Sequence, residues 1–187
     1  SFSGILFLSP IIASISIAIK IHDRGTVFFK APRVGLNGKM FKMFKFRSMV
    51  VNADKTGASS TTSSDPRITT IGKFTRKYKF DEIPQLFNVL KGEMSFVGPR
   101  PEVKYFTDMY TDEEKAILTV KPGITDWASI WNTNEEKILE GSEDPDKAYM
   151  ELIRPNKIRF QLKYVREKSF FTDLKIILLT LLAIFKK

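Results

Sequence analysis

The chain has 187 residues, carries a formal charge of +9 and contains no cysteine and a single histidine, His22. That length suits one domain with a moderate core and peripheral helices. Disulfides, cysteine catalysis, a His-rich zinc site and a Ser-His-Asp triad are excluded, and the charge points to an anionic partner: nucleic acid, anionic lipid or a phosphorylated substrate.

The two ends narrow that choice. From Phe2 to Ile19 the sequence FSGILFLSPIIASISIAI has no charged residue, which just reaches the ~18 residues of a spanning helix. Ser9-Pro10 falls in its middle, and proline removes a backbone donor there, so a break is expected. A straight transmembrane helix, a re-entrant helix broken at Ser9-Pro10 and a soluble core helix are all open. The re-entrant form, over residues 1–22, is carried forward. No basic cluster or initiator Met precedes the run, so it reads as shortened at its N-terminus. A charged leader region and a small-residue cleavage site are both missing, which argues against a secretory signal peptide. The C-terminal FFTDLKIILLTLLAIFKK is apolar from Ile176 to Phe185 and ends in Lys186-Lys187. It suits an interfacial amphipathic helix with cations at headgroup level.

Between the ends, residues 26–49 read as a β-hairpin. Asn37-Gly38 favours a two-residue turn with positive φ. On the return strand Lys45 and Arg47 share one face and Phe44 and Phe46 the other; a solvated strand edge would explain the two cations equally well. Residues 52–67 form a polar loop, either a lid or a plain insertion. DEIPQLFNVLKGEMS predicts a helix with apolar Ile83, Leu86, Phe87 and Leu90 on one face. Pro84 forces its start near Asp81, and Gly92 marks its end. Thr111 or Asp112 caps a further helix that stops before Lys121-Pro122-Gly123. Residues 146–165 predict more helix, interrupted near Pro155.

Asp81 and Glu82 then lie at a helix start, where a plain capping role is the simplest explanation. Their setting adds to it. Arg76, Lys77 and Lys79 precede the pair, and two prolines hold Arg100 in Val97-Gly98-Pro99-Arg100-Pro101. A guanidinium held there suits a phosphate, although a surface ion pair is an alternative. A carboxylate can attack a phosphoryl group when cations offset the repulsion between anions, and Mg²⁺ suits carboxylates plus phosphate.

These segments together resemble the bacterial sugar transferases, in particular the small monotopic polyprenol-phosphate phosphoglycosyl transferases. The resemblance rests on Ser9-Pro10, on FKMFKFRSM with Lys45 and Arg47, on the 38-residue block from Asp65 to Glu102, and on KPGIT at 121–125. It implies an α+β fold: a re-entrant N-terminal helix, a small β-hairpin, several amphipathic interfacial helices, and a single catalytic domain over 23–187. It also implies that Asp81 attacks the β-phosphate of a UDP-sugar, releases UMP and passes the sugar phosphate to undecaprenyl or another polyprenol phosphate. Glu82 assists as a helper. Lys45, Arg47, Arg76 and Arg100 bind phosphate or substrate, and Asp81 with Glu82 holds Mg²⁺. Such a protein starts glycan assembly at the cytoplasmic face of the bacterial inner membrane. Membrane lipids are partners, nucleic acid is not, and a homodimer is left open. Two positions depart from the family's pattern: Asp126 replaces a glycine, and Gln161 stands where many relatives carry an Asp before Tyr164-Val165.

Three rival readings compete with this resemblance. Asp144-Pro145-Asp146 has the D-x-D spacing of metal-dependent nucleotide-sugar glycosyltransferases, which would release UDP. Gly35-Leu36-Asn37-Gly38 has the G-x-x-G spacing of an RNA-binding KH loop, but two long apolar ends fit that poorly. A non-enzymatic membrane scaffold is a third alternative, disfavoured by the intact Asp81-Glu82 and Arg100.

Overall fold

The computed structural model describes residues 1–53, 62, 64–132 and 138–185. It is a mixed helix and sheet structure. Helix α1 (Phe2–Asp23) runs through Ser9 and Pro10 without interruption, so the expected break there is a correction. Pro10 has no N–H to give the Leu6 carbonyl one turn back. The Ser9 hydroxyl donates to that carbonyl instead, at 2.8 Å. The proline therefore costs one backbone bond and a neighbouring side chain replaces it. α1 ends where Arg24 adopts φ 57° and its N–H returns to the Lys20 carbonyl.

The outer surface of α1 is apolar and open. Phe2, Leu6, Phe7, Ile17 and Ile21 are exposed. Among its described side chains only Ile15 and Ile19 are buried, against Phe46, Ile71, Phe80 and Ile83. Phe2–His22 is long and apolar enough to cross a membrane, and 11% of its most apolar window is buried. The core helix of a soluble protein would be mostly buried.

Strands β1 (Phe28–Val34) and β2 (Met40–Phe46) pair antiparallel, Phe28 opposite Phe46 and Val34 opposite Met40. Gly35 and Lys39 close the ladder (N–H to carbonyl, 2.8 Å), so the connection has three residues where two were expected. Asn37 and Gly38 do take positive φ, 54° and 74°, as the Asn-Gly pair requires. Helix α2 (Thr70–Lys77) is capped by the Thr69 hydroxyl.

A 3₁₀ turn, Phe80–Glu82, precedes helix α3 (Gln85–Leu90). Asp81 and Glu82 thus sit one turn ahead of the regular helix rather than within its first residues. The turn is entered through Lys79 at φ 57°, and Gly92 at φ 77° ends the helical segment as expected. Strand β3 (Ser95–Val97) pairs parallel with β4 (Gly123–Thr125). Helix α4 is Lys104–Thr107. The segment after Thr111 is 3₁₀, Glu114–Thr119. Its start is a reciprocal cap in which the Glu114 N–H meets the Thr111 hydroxyl and the Thr111 N–H meets the Glu114 carboxylate.

Helix α5 is Trp127–Trp131 and α6 is Pro145–Ala148. A π turn, Tyr149–Ile153, then leads into α7 (Arg154–Glu167). The interruption expected near Pro155 is this wider turn, placed just before a residue that cannot donate. α8 (Phe170–Phe185) buries Ile176 against Val97 and Tyr164, while Phe170, Phe171, Leu174, Leu178, Leu181 and Leu182 are exposed. At 16 residues it is about 24 Å long, short of a ~30 Å hydrocarbon layer. Of the 52–67 loop, residues 54–61 and 63 lie outside the described residues.

Candidate active site

Three pieces of chain meet at Asp81 and Glu82. The first is β2. Asn88 of α3 accepts from the Phe44 N–H at 2.8 Å and donates to the Lys42 carbonyl at 2.8 Å and the Glu93 carboxylate at 2.7 Å. A buried amide with three partners fixes α3 against the strand. That contact brings Lys45 Nζ to 3.2 Å from Glu82 Oε1. The second piece is the end of α2, where Arg76 reaches the Ser48 hydroxyl at 3.4 Å and Lys79 follows. Both cations act on Asp81.

The third piece is the loop from Val97 to Glu102. Gly98 and Gly123 let β3 and β4 approach backbone to backbone. A Cβ on Gly98 would lie 2.4 Å from the Lys121 carbonyl oxygen, and one on Gly123 would lie 2.1 Å from the Gly98 nitrogen. Gly98 N–H bonds the Thr125 carbonyl at 3.0 Å, and Gly123 N–H bonds the Pro99 carbonyl at 3.1 Å. Arg100 then reaches across to Glu82 with both terminal nitrogens, Nη1 to Oε2 at 3.1 Å and Nη2 to Oε1. Helix α7 supports the loop with Lys157, Gln161 and Tyr164, spaced for one helix face. Lys157 pairs with Glu102, Gln161 donates to the Arg100 carbonyl at 3.2 Å, and Tyr164 donates to the Val97 carbonyl at 3.2 Å.

The two adjacent carboxylates are held in opposite electrostatic states. Burial pushes the Asp81 carboxyl above the usual carboxylate range; Lys45 pulls against this and the charge of Glu82 adds to it. Its Oδ1 is buried with no hydrogen-bond partner among the described residues. Burial would also raise Glu82, but Arg100 and Lys45 outweigh it and hold Glu82 well below the usual range. Desolvation is the larger influence on Asp81, and the cations oppose it. Lys45, Arg76, Lys79 and Arg100 act on these two carboxylates. Such a cationic setting suits the negative charge of a substrate diphosphate.

Lys45, Arg76, Arg100, Asp81 and Glu82 are thus brought together. Arg47 is placed elsewhere. It is buried, with Nε donating to the carbonyl of Thr26, in the segment between α1 and β1, at 2.6 Å. The alternation that put it on the Lys45 face holds only to Phe46, where β2 ends. Asp144 caps α6, accepting from the Asp146 and Lys147 N–H groups, which gives the D-x-D spacing a structural role. Gly35 and Gly38 belong to the hairpin loop. Asn88 and Lys157 carry no mark of their own in the sequence, and Asp126 and Gln161 stand out there without a role. A polar stripe at i, i+4 and i+7 of a helix was the available signal for α7.

No group of three or more His, Asp or Glu side chains stands together among the described residues. The donors that could meet Mg²⁺ are the unpartnered Asp81 Oδ1 and the Glu82 carboxylate. Such a pair fits Mg²⁺ shared with substrate phosphates and water, the usual way this ion is held, and does not make an all-protein cage.

A family model described as bacterial sugar transferase matches residues 1–187. The chain belongs to the bacterial sugar transferase family. Within it, the chain is 38% identical over 181 residues to the UDP-glucose:undecaprenyl-phosphate glucose-1-phosphate transferase of Escherichia coli (strain K12), covering 94% of this chain and 36% of that protein. It is 39% identical over 184 residues to the undecaprenyl-phosphate glucose phosphotransferase of Komagataeibacter xylinus, covering 95% and 32%. It is 35% identical over 181 residues to the UDP-N-acetylgalactosamine-undecaprenyl-phosphate N-acetylgalactosaminephosphotransferase of Aeromonas hydrophila, covering 95% and 40%. The chain spans roughly a third of the length of the first two relatives. Their names carry different sugars, so likeness to them does not choose one.

Proposed function

We propose that this bacterial sugar transferase moves a sugar-1-phosphate from a UDP-sugar to a polyprenol phosphate through a covalent intermediate on Asp81. The observation that carries this reading is a buried carboxylate with one unpartnered oxygen, set beside a second carboxylate already saturated by Arg100 and Lys45. Glu82 is committed to cations, whereas Asp81 is open to form a bond.

In the first step an Asp81 oxygen forms a bond to the β-phosphorus. The bond from that phosphorus to the bridging oxygen breaks, and UMP leaves with that oxygen and the electron pair. In the second step a polyprenol phosphate oxygen attacks the same phosphorus. The acyl-phosphate bond breaks, Asp81 is regenerated as carboxylate, and the product is a polyprenyl diphosphate sugar. Partial desolvation makes Asp81 reactive once ionised, and Lys45, Arg76, Lys79 and Arg100 offset the charge of the diphosphate. Mg²⁺, when bound, would supply further neutralisation of the phosphate oxygens through Asp81 and Glu82. The test is intact-protein mass spectrometry after UDP-sugar and Mg²⁺ are added without acceptor. A gain of one sugar phosphate, equimolar UMP and discharge on adding polyprenol phosphate are expected. Release of UDP, or an adduct on another residue, would contradict the reading.

The membrane reading is supported by the open apolar faces of α1 and α8 and by the Ser9 contact that satisfies Leu6 in a low-dielectric setting. Because α1 is unbroken, we place it lying along one leaflet with both ends at the cytoplasmic face, and α8 at the interface. Accessibility labels at both ends of α1 test this, and ends on opposite sides of the bilayer would replace it with a spanning helix. Sugar choice is assigned to the 52–67 loop and to residues 124–134, which the structure describes only in part. UMP release from a panel of UDP-sugars is the corresponding assay.

A further inference from the structure

Asp126 and Gln161 are both fully buried, and both reach the same residue. The Arg100 N–H donates to Asp126 Oδ2 at 3.2 Å. The Arg100 carbonyl accepts from Gln161 Nε2 at 3.2 Å. Arg100 lies between Pro99 and Pro101, so its N–H is the sole backbone donor of that tripeptide. Proline fixes its own φ and restricts the residue before it. With both main-chain groups of Arg100 held as well, the backbone has little freedom left, and the mobile part is the guanidinium that now grips Glu82.

We propose that Asp126 and Gln161 are positioning residues for phosphoryl transfer: they clamp the Arg100 backbone from both sides so that its guanidinium can exchange between Glu82 and the substrate diphosphate from a fixed pivot. This rests on the transferase reading above for the identity of the substrate, but not for the clamp itself. The clamp draws on two distant segments. Asp126 starts α5 and also accepts from the Ser129 N–H at 2.7 Å and the Ser129 hydroxyl at 2.8 Å. Gln161 is on α7, whose Lys157 and Tyr164 hold the same loop on either side. A loop pinned at Val97, Gly98, Arg100 and Glu102 has a purpose beyond stability if the side chain in its centre must be placed to within a fraction of an ångström, since small misplacements of a charged group are costly in rate.

Two substitutions separate the clamp from helix capping. Asp126→Asn keeps one oxygen for Ser129, and Asn caps helices as well as Asp, but it turns an amide donor toward the Arg100 N–H. Gln161→Met keeps the length and removes the donor without adding a charge. Ser129→Ala is the control: it removes the hydroxyl bond to Asp126 Oδ1, keeps the Ser129 N–H cap and leaves the Arg100 contact. Two quantities are measured on each protein in detergent, hydrogen exchange of the Arg100 amide and kcat/KM for UMP release. Asp126→Asn and Gln161→Met should each speed exchange and lower kcat/KM roughly tenfold, the loss of one hydrogen bond's worth of placement. Ser129→Ala should stay within about twofold of the parent in both. If Asp126→Asn does not fold, Gln161→Met carries the test. Unchanged exchange overturns the clamp. Faster exchange with unchanged kcat/KM reduces both residues to scaffolding, as does a loss in Ser129→Ala equal to that in Asp126→Asn. A parent protein that releases no UMP from any UDP-sugar overturns the transferase reading, and the exchange measurement still decides the clamp.

Discussion

Asp81→Asn is expected to abolish UMP release and at the same time to raise the stability of the protein at neutral pH. The rate loss follows from removing the nucleophile while keeping its shape, and should be on the order of 10⁴-fold or more. The stability gain follows from the electrostatics. Burial raises the Asp81 carboxyl above its ordinary range. An acid with a raised folded-state pKa contributes stability that is fully present below the unfolded value, near 3.9, and lost as pH rises through the folded one. At pH 7 the ionised Asp81 is therefore a net cost, and Asn removes it. The gain should be about 1 kcal/mol, or a few degrees in Tm, and should shrink as pH is lowered toward the unfolded carboxylate range. Thermal unfolding in detergent at pH 7 and pH 4.5, beside the UMP assay, checks both halves. Residual turnover near the parent rate would remove Asp81 from the chemistry. A loss of stability at pH 7 would show that its charge is favourable where it sits.

The parts of the site that could be read in the sequence are those set by local rules. Pro84 and Gly92 bracket the Asp81 segment because one cannot lie deep in a helix and the other tolerates φ 77°. Asn37-Gly38 marks a hairpin loop for the same reason. The basic residues around Asp81 were visible as a cluster, although Arg47 is bonded to the segment between α1 and β1. Strand alternation cannot tell which residue is the last to obey it. The helix through Ser9-Pro10 was misjudged because the missing bond is replaced by a side chain one residue away, which propensity does not weigh. What stayed hidden is tertiary. Asn88, Asp126 and Gln161 are polar residues inside the fold, and nothing local states which backbone they satisfy. Asp126 and Gln161 stood out only as departures from the family's pattern. Their shared contact with Arg100 spans 26 and 61 residues of chain, beyond the reach of any local signal.

Glu82→Gln should have the opposite effect on stability from its neighbour. Arg100 and Lys45 hold the Glu82 carboxyl well below its ordinary range in spite of burial. A depressed acid contributes stability that is present above the unfolded value, near 4.3, and lost as pH falls through the folded one. At pH 7 that contribution is complete, so removing the charge destabilises. The cost also includes the two cations that lose their Glu82 partner, and Lys45 is already pushed down by burial with Glu82 as its main counterweight. Breaking a fully buried pair costs about 3–5 kcal/mol. Here the Arg100 side chain is 26% exposed, so about 2 kcal/mol is the fitting expectation after solvent screening. For catalysis, Glu82→Gln leaves Asp81 in place. UMP release should slow by roughly 10²- to 10³-fold, yet long incubation with UDP-sugar should still build the sugar-phosphate adduct on Asp81. Urea unfolding of the parent, Asp81→Asn and Glu82→Gln at pH 7 gives the decisive comparison: one variant above the parent and the other below. Two shifts in the same direction would mean that the adjacent carboxylates share one electrostatic state, and the division into an open nucleophile and a cation-saturated helper would fall.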